Sequence, residues 1–223
     1  MKTSLRLFRF LGSPRVGIAL LGVLFLLVFW GTLFEARAGL DWGVARFFDG
    51  WFLLVAGVFP FPAMKSLSVL LFLHLLFALV FRIPHTRKFF GVAAIHFSFL
   101  ILIAGSLAGA STRRSFETFG IEGSEVVLDS AENIAFRILE ADSAGCRIGF
   151  PDAPGAFRIA WNAPRKIGNF DVYFAERFEM PETTVVRFWV RSDPFSMTPY
   201  LFAAVLAFGI FWNALANLRK PES

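Results

Sequence analysis

Three histidines, His74, His85 and His96, are the residues of this sequence whose side chains could do chemistry at neutral pH. His74 lies in the run LLFLHLLFALVFR and His96 in GVAAIHFSFLILIAGSLAGA, both strongly apolar, whereas His85 lies in the basic turn RIPHTRK and reads as a solvated residue. His74 precedes Arg82 by eight residues and His96 follows Lys88 by eight. At ~1.5 Å of helix rise per residue, both imidazoles stand about 12 Å inside the apolar layer. An ionisable group at that depth needs a partner. A haem iron, another metal ion, a proton relay or a backbone carbonyl on a neighbouring helix would each serve. The phenylalanines of FLHLLF and IHFSF suit a porphyrin and suit plain helix contact equally well. Spacing puts the two rings at equal depth on adjacent helices and does not orient them.

Other chemistries are poorly supplied. The single cysteine, Cys146, allows no internal disulfide and no Cys-x-x-Cys pair. No carboxylate or thiol shares the depth of the histidines, which disfavours a zinc site of the aqueous kind. The sequence holds no nucleophile elbow, phosphate-binding loop, dinucleotide fingerprint or His-Glu-x-x-His. It therefore shows no self-contained active site. The net charge of +5 comes from basic residues flanking apolar runs, with no separate patch or stripe, so nucleic-acid binding is excluded.

The elements that must position the histidines are membrane helices. Of 223 residues, 56% are hydrophobic and 30 are phenylalanine. Four segments are long and apolar enough to span a hydrocarbon core: Val16 to Phe34, about Ser66 to Phe81, Phe89 to Ala110 and Thr198 to Leu218. The first is read as an uncleaved helix, because it exceeds a signal-peptide core and lacks a small-x-small cleavage site. Lys2, Arg6, Arg9 and Arg15 precede it, Arg82, Arg87 and Lys88 join the second and third spans, and Arg219 and Lys220 follow the fourth. Placing all three clusters on the cytoplasmic side puts both termini inside and residues 111–196 outside. Between the first two spans, Pro60 and Pro62 interrupt the long run from Trp51 to Arg82. An interfacial or re-entrant helix over about Gly50 to Val58 is expected there, followed by a proline turn. Trp30, Trp51 and Tyr200 are expected at the outer interface and Trp212 near the inner one. The small-residue stripe Ala104, Gly105, Ala108 and Gly109 offers a close helix-contact face, within the chain or against a partner.

Residues 111–196 change character. FRILEAD, GAFRIAW, FDVYFAERF and TTVVRFWVR alternate in period two, separated by SAG, PDAPG and RKIGN. These are strands of a small antiparallel domain, whose modest core is expected to lean on the membrane helices or a partner. The fold class is thus a membrane α + β protein with four transmembrane helices and an outward-facing β-rich domain between helices three and four. Its parts are 1–110 with the first three helices, 111–196 as the extracytoplasmic β domain, and 197–223 with the fourth helix and a cytoplasmic tail.

In order along the chain, SPRVGIALLGVLFLLVFWGTLFEA, GLDWGVARFFDGWFLLV with its FPFP turn, LLFLHLLFALVFR and FFGVAAIHFSFLILIAGSLAG resemble the ResB-like family of cytochrome c biogenesis system II proteins. WNAPRKIGNFDVYFAERF and the Asp-Pro approach to the last helix in RFWVRSDPFSMTPYLFAAVLAFGI are similar to later parts of that family. The resemblance implies an inner-membrane subunit in bacteria, working with a CcsA or ResC type partner to export haem and attach it to apocytochromes c. That partner carries the tryptophan-rich haem motif and the synthase chemistry. This chain lacks the motif and corresponds to the ResB-like half, an accessory, non-catalytic subunit in contact with haem, apocytochrome, partner and membrane lipids. The family's histidine at the start of the third helix matches His96, which implies an axial ligand to the iron of haem b. His74 falls where relatives tend to carry a polar residue such as Asn, so the match does not carry a ligand role to it. Three rivals stay open: a scaffold that never touches haem, a membrane anchor with a ligand-binding outer domain, and a haem b electron carrier using both His74 and His96. The outer domain is short for the family, and GTLFEA stands where relatives often show Gly-Thr-Leu followed by Pro-Gln.

Overall fold

The computed structural model describes residues 2–150 and 153–218, which form two compact units. One contains residues 1–111 and 195–223, the other residues 112–194. Arg219 and Lys220, read above as a topology signal, lie outside the described residues.

Four helices of the first unit are long and apolar enough to cross a membrane: α2 (Pro14–Ala38), α4 (Met64–Phe81), α5 (Phe90–Thr112) with a short 3-10 turn before it, and α6 (Thr198–Leu218). All exceed or approach the ~20 residues that a hydrocarbon core requires. Two elements were not anticipated. The first is a ten-residue helix, α1 (Lys2–Leu11), where the basic residues had been read only as a charge signal. Phe8 on α1 stacks on Phe77 and Phe81 of α4, at ring separations of 5.1 and 5.4 Å. A proline at the start of α2, with its missing N–H and preset φ, separates α1 from α2.

The second lies where a re-entrant helix was expected over Gly50 to Val58. After a short helical turn, α3 (Leu40–Gly43), and a wide turn over Val44–Phe48, the chain forms a β-hairpin of β1 (Phe52–Val55) and β2 (Phe59–Pro62). Ala56 and Gly57 at its tip have φ of 53° and 75°, the paired positive values of a tight hairpin turn. The prolines explain the preference. Pro60 and Pro62 alternate with Ala63, whose N–H bonds the Trp51 carbonyl at 3.0 Å, so both fall at positions whose N–H would face away from the partner strand. In a helix each would remove a bond and clash with the preceding turn. Leu53 and Phe61 join Leu27 and Leu67 in a core beneath the hairpin, and the Ser66 hydroxyl donates to the Trp51 carbonyl at 2.5 Å.

Helices α5 and α6 meet through glycine. A Cβ at Gly91 would lie 2.6 Å from the Asn213 nitrogen and the Gly209 carbonyl oxygen, and at the other end Gly105 faces the side chain of Thr198. Only glycine permits so close an approach. The small-residue stripe is therefore used inside the chain at Gly105, while Gly91 and Gly209 form a second contact. Trp212 donates from Nε1 to the Arg87 carbonyl at 3.1 Å, and Phe99 tilts against Phe202.

The second unit is a sandwich of two four-stranded antiparallel sheets. One has the order β4 (Glu125–Asp129), β5 (Ile134–Asp142), β6 (Gly145–Phe150), β7 (Ala153–Ala160); the other β3 (Arg114–Ile121), β10 (Thr183–Ser192), β9 (Phe170–Met180), β8 (Arg165–Ile167). The alternating segments are strands. The RKI of RKIGN is also a strand rather than a spacer, pairing with β9, and Pro151 and Asp152 of PDAPG lie outside the described residues. Both sheets contribute to a closed apolar interior. Phe136 and Phe188 are fully buried and meet edge to face at 5.2 Å. The two ends of the unit are tied at Asp193, which accepts from Arg113 Nε at 3.0 Å and Arg191 Nη2 at 2.7 Å. At the β5–β6 turn, Arg158 donates to both oxygens of Asp142 at 2.7 and 2.8 Å and holds that carboxyl below the usual carboxylate range.

Cys146 sits in this interior with no exposed surface, and burial pushes its thiol up to about 12. Maleimide at pH 8 should leave it unmodified in the folded chain and label it on unfolding. A raised folded value means that stability is full below the ordinary thiol range, near 9.0, and falls as pH rises from there toward 12. Cys146→Ala should remove this component, up to ~1.4 kcal/mol per pH unit; identical alkaline slopes for both proteins would contradict it.

Candidate functional site

Helix α1 ends at Leu11, and its last carbonyls cannot all be bonded by the helix itself. Phe8 and Phe10 carbonyls accept from the backbone N–H groups of Gly12 and Ser13. The Ser13 N–H that would reach Arg9 is given to Phe10 instead, and Pro14, three residues after Leu11, has no N–H to offer. Both are satisfied from α4: Arg82 Nε donates to the Arg9 carbonyl at 3.0 Å and His74 Nδ1 to the Leu11 carbonyl at 2.6 Å. His74 thus terminates a neighbouring helix. A carbonyl accepts only, so Nδ1 carries the proton and Nε2 the lone pair. That lone pair faces Gly17: a Cβ built there would lie 2.7 Å from Nε2. Gly17 is buried, and the absence of its side chain makes room for the imidazole.

His96 is arranged differently. Its Nδ1 donates to the carbonyl of Val92, one turn earlier on α5, at 2.9 Å. Nδ1 again carries a proton, which in the neutral ring puts the lone pair on Nε2, and Nε2 has no hydrogen-bond partner among the described residues. A bond from Nδ1–H to a backbone carbonyl, which orients the ring and leaves Nε2 open, is the arrangement in which histidine binds a metal. The ring is half-buried, and the adjoining Phe97 and Phe99 are exposed. Two residues on, Ser98 is fully buried and closes its hydroxyl onto the Ile95 carbonyl at 2.7 Å, so it offers nothing outward.

The two intramembrane histidines therefore have different neighbours, and no hydrogen bond joins them. His85 is exposed in the α4–α5 turn. Among the described residues no group of three or more His, Cys, Asp or Glu side chains converges to hold a metal ion. What the site can do chemically is offer one neutral imidazole nitrogen, on a rigid helix, to a group that brings its remaining ligands from elsewhere. Sequence reasoning did not find the role of Gly17 or the capping of α1; the Gly-Ser-Pro break at residues 12–14 was the available signal.

No family model matches this chain, and no curated protein matches it. Among solved structures, it is similar to the cytochrome c heme lyase CcmF, with 16% identity and a TM-score of 0.40 over 90% of this chain and 34% of that one. The chain thus spans about a third of the length of that structure, a likeness too faint to carry fold or activity across.

Replacing His74 by alanine leaves the Leu11 carbonyl without its donor, a loss of about 1–3 kcal/mol. Amide hydrogen exchange across residues 5–12 should quicken in His74→Ala and in Gly17→Val, which displaces the ring. Unchanged protection of α1 in both would contradict the capping role.

Proposed function

We propose that this chain is the membrane subunit of a haem export and cytochrome c assembly complex of the ResB-like kind, and that His96 supplies an axial nitrogen to haem iron within the membrane. The observation that carries the proposal is the open Nε2 of His96, held by the Nδ1 bond to Val92 on an apolar helix. The ordered resemblance of the apolar segments to the ResB-like family supports the same conclusion. Haem is cargo here, and a single donor suits cargo. One imidazole fixes the iron while its opposite face is left to a ligand from a CcsA-type partner, and the bond can be exchanged as the haem moves on.

In this proposal α2, α4, α5 and α6 cross the inner membrane, both termini are cytoplasmic, and the β unit faces outward to meet the partner or the apocytochrome. The chain performs no covalent chemistry of its own. This scheme gives His74 no ligand role, because its Nε2 faces Gly17 so closely that a Cβ there would lie 2.7 Å away. That favours a shared haem site over an electron carrier with two histidines in one chain.

The test is haem content of the complex purified with its partner. His96→Ala should lose most of the membrane haem and shift its spectrum, while His74→Ala, if folded, should keep both. Wild-type haem content and spectrum in His96→Ala would overturn the assignment and leave the scaffold role. Loss in both variants together with haem bound by the chain alone would favour the two-histidine carrier.

A further inference from the structure

The hairpin that replaces the expected re-entrant helix closes over a cavity of about 460 Å³ beside the second half of α2. Its floor is buried, formed by Leu27, Phe47 and Leu53, and its rim is exposed, formed by Trp30, Leu54 and Val55. The cavity therefore opens to the surface of the unit. Every lining residue is apolar except one, Arg46. The Arg46 side chain is held at the rim by the Leu54 carbonyl, 3.4 Å from Nη2, and by the ring of Phe34, whose centroid lies 5.8 Å from the guanidinium carbon. No carboxylate pairs with it among the described residues.

Water is a poor occupant of such a space, since an ordered molecule needs two to four polar partners and Arg46, at the rim, is the one charged or polar residue of the lining. An acyl chain matches the walls. The guanidinium at the rim presents paired donors suited to a phosphate or carboxylate, and its charge is not already neutralised. The exposed face of α2 that leads to the cavity, with Phe25, Phe29 and Trp30, is itself a surface for lipid. We propose that this cavity seats one acyl chain of an anionic phospholipid whose phosphate pairs with Arg46. The inference does not depend on haem binding. It makes the hairpin a lipid clasp at one end of the first span, and it gives the Ala56–Gly57 turn, which packs Leu54 and Val55 over the cavity, a binding role as well as a topological one.

Native mass spectrometry of the delipidated full chain, titrated with phosphatidylglycerol or phosphatidylcholine of identical chains, tests it. One phosphatidylglycerol should bind about tenfold more tightly than phosphatidylcholine, the worth of one charge-assisted pair. Arg46→Gln should abolish that preference while retaining weak binding of both. Leu54→Trp, which fills the cavity from an exposed position, should remove both, and Arg37→Gln, a cation on α2 outside the cavity, should change neither. Equal binding of the two lipids by the wild-type chain, or an intact preference in Arg46→Gln, would overturn the proposal. So would stoichiometric displacement of phosphatidylglycerol by oleate at equal concentration, which would assign the site to a free carboxylate instead.

Discussion

A polar group surrounded by hydrocarbon has no water to turn to, and each one left without a partner costs several kcal/mol. The membrane unit of this protein is organised around that constraint. Where the chain breaks at Gly12–Pro14, two carbonyls of α1 are stranded, and α4 supplies Arg82 and His74 to receive them. Where the long apolar run after α2 carries two prolines, the backbone forms a hairpin in which the missing N–H groups are not needed. Ser98, fully buried on α5, closes back on its own helix. The exception lies at the first break, where the Ser13 hydroxyl is buried with no hydrogen-bond partner among the described residues.

The same constraint separates the two intramembrane histidines. Both give Nδ1–H to a carbonyl, so both expose an unprotonated Nε2 in principle. For His74 the carbonyl belongs to another helix and the second nitrogen is pressed against Gly17; the residue is a joint between α1, α2 and α4. For His96 the carbonyl belongs to its own helix, and no described residue hydrogen-bonds the second nitrogen. An imidazole oriented but not used within its own unit is a group prepared for something outside it. The haem-ligand proposal takes that literally, and it explains why a chain without a converging ligand cluster can still contribute to a haem site.

Much of this was legible in the sequence because hydropathy and period are strong signals. The four spans followed from apolar length, with ends shifted by a few residues, and β5, β7, β9 and β10 followed from alternation. What was not legible shares one cause: it depends on which helix face meets which neighbour. Gly17 and Gly91 look alike in sequence, yet one makes room for an imidazole and the other for a helix backbone. WFLLVAGVFPFP is apolar enough for a helix or a strand, and only the parity of its prolines against the Ala63 N–H decides for the strand. The place of Arg46 at the rim of a cavity likewise depends on the hairpin.

The central claim is that His96 Nε2 is the open ligand, and chemical rescue addresses that atom directly. His96→Gly leaves room on α5 for a free imidazole, which has no other link to the chain. If Nε2 ligates the iron, adding imidazole to the His96→Gly complex should restore the wild-type absorption spectrum and apocytochrome maturation together, with no effect on His74→Ala. A His96→Gly complex that matures cytochrome c normally without imidazole, or whose spectrum imidazole leaves unmoved, would contradict the account.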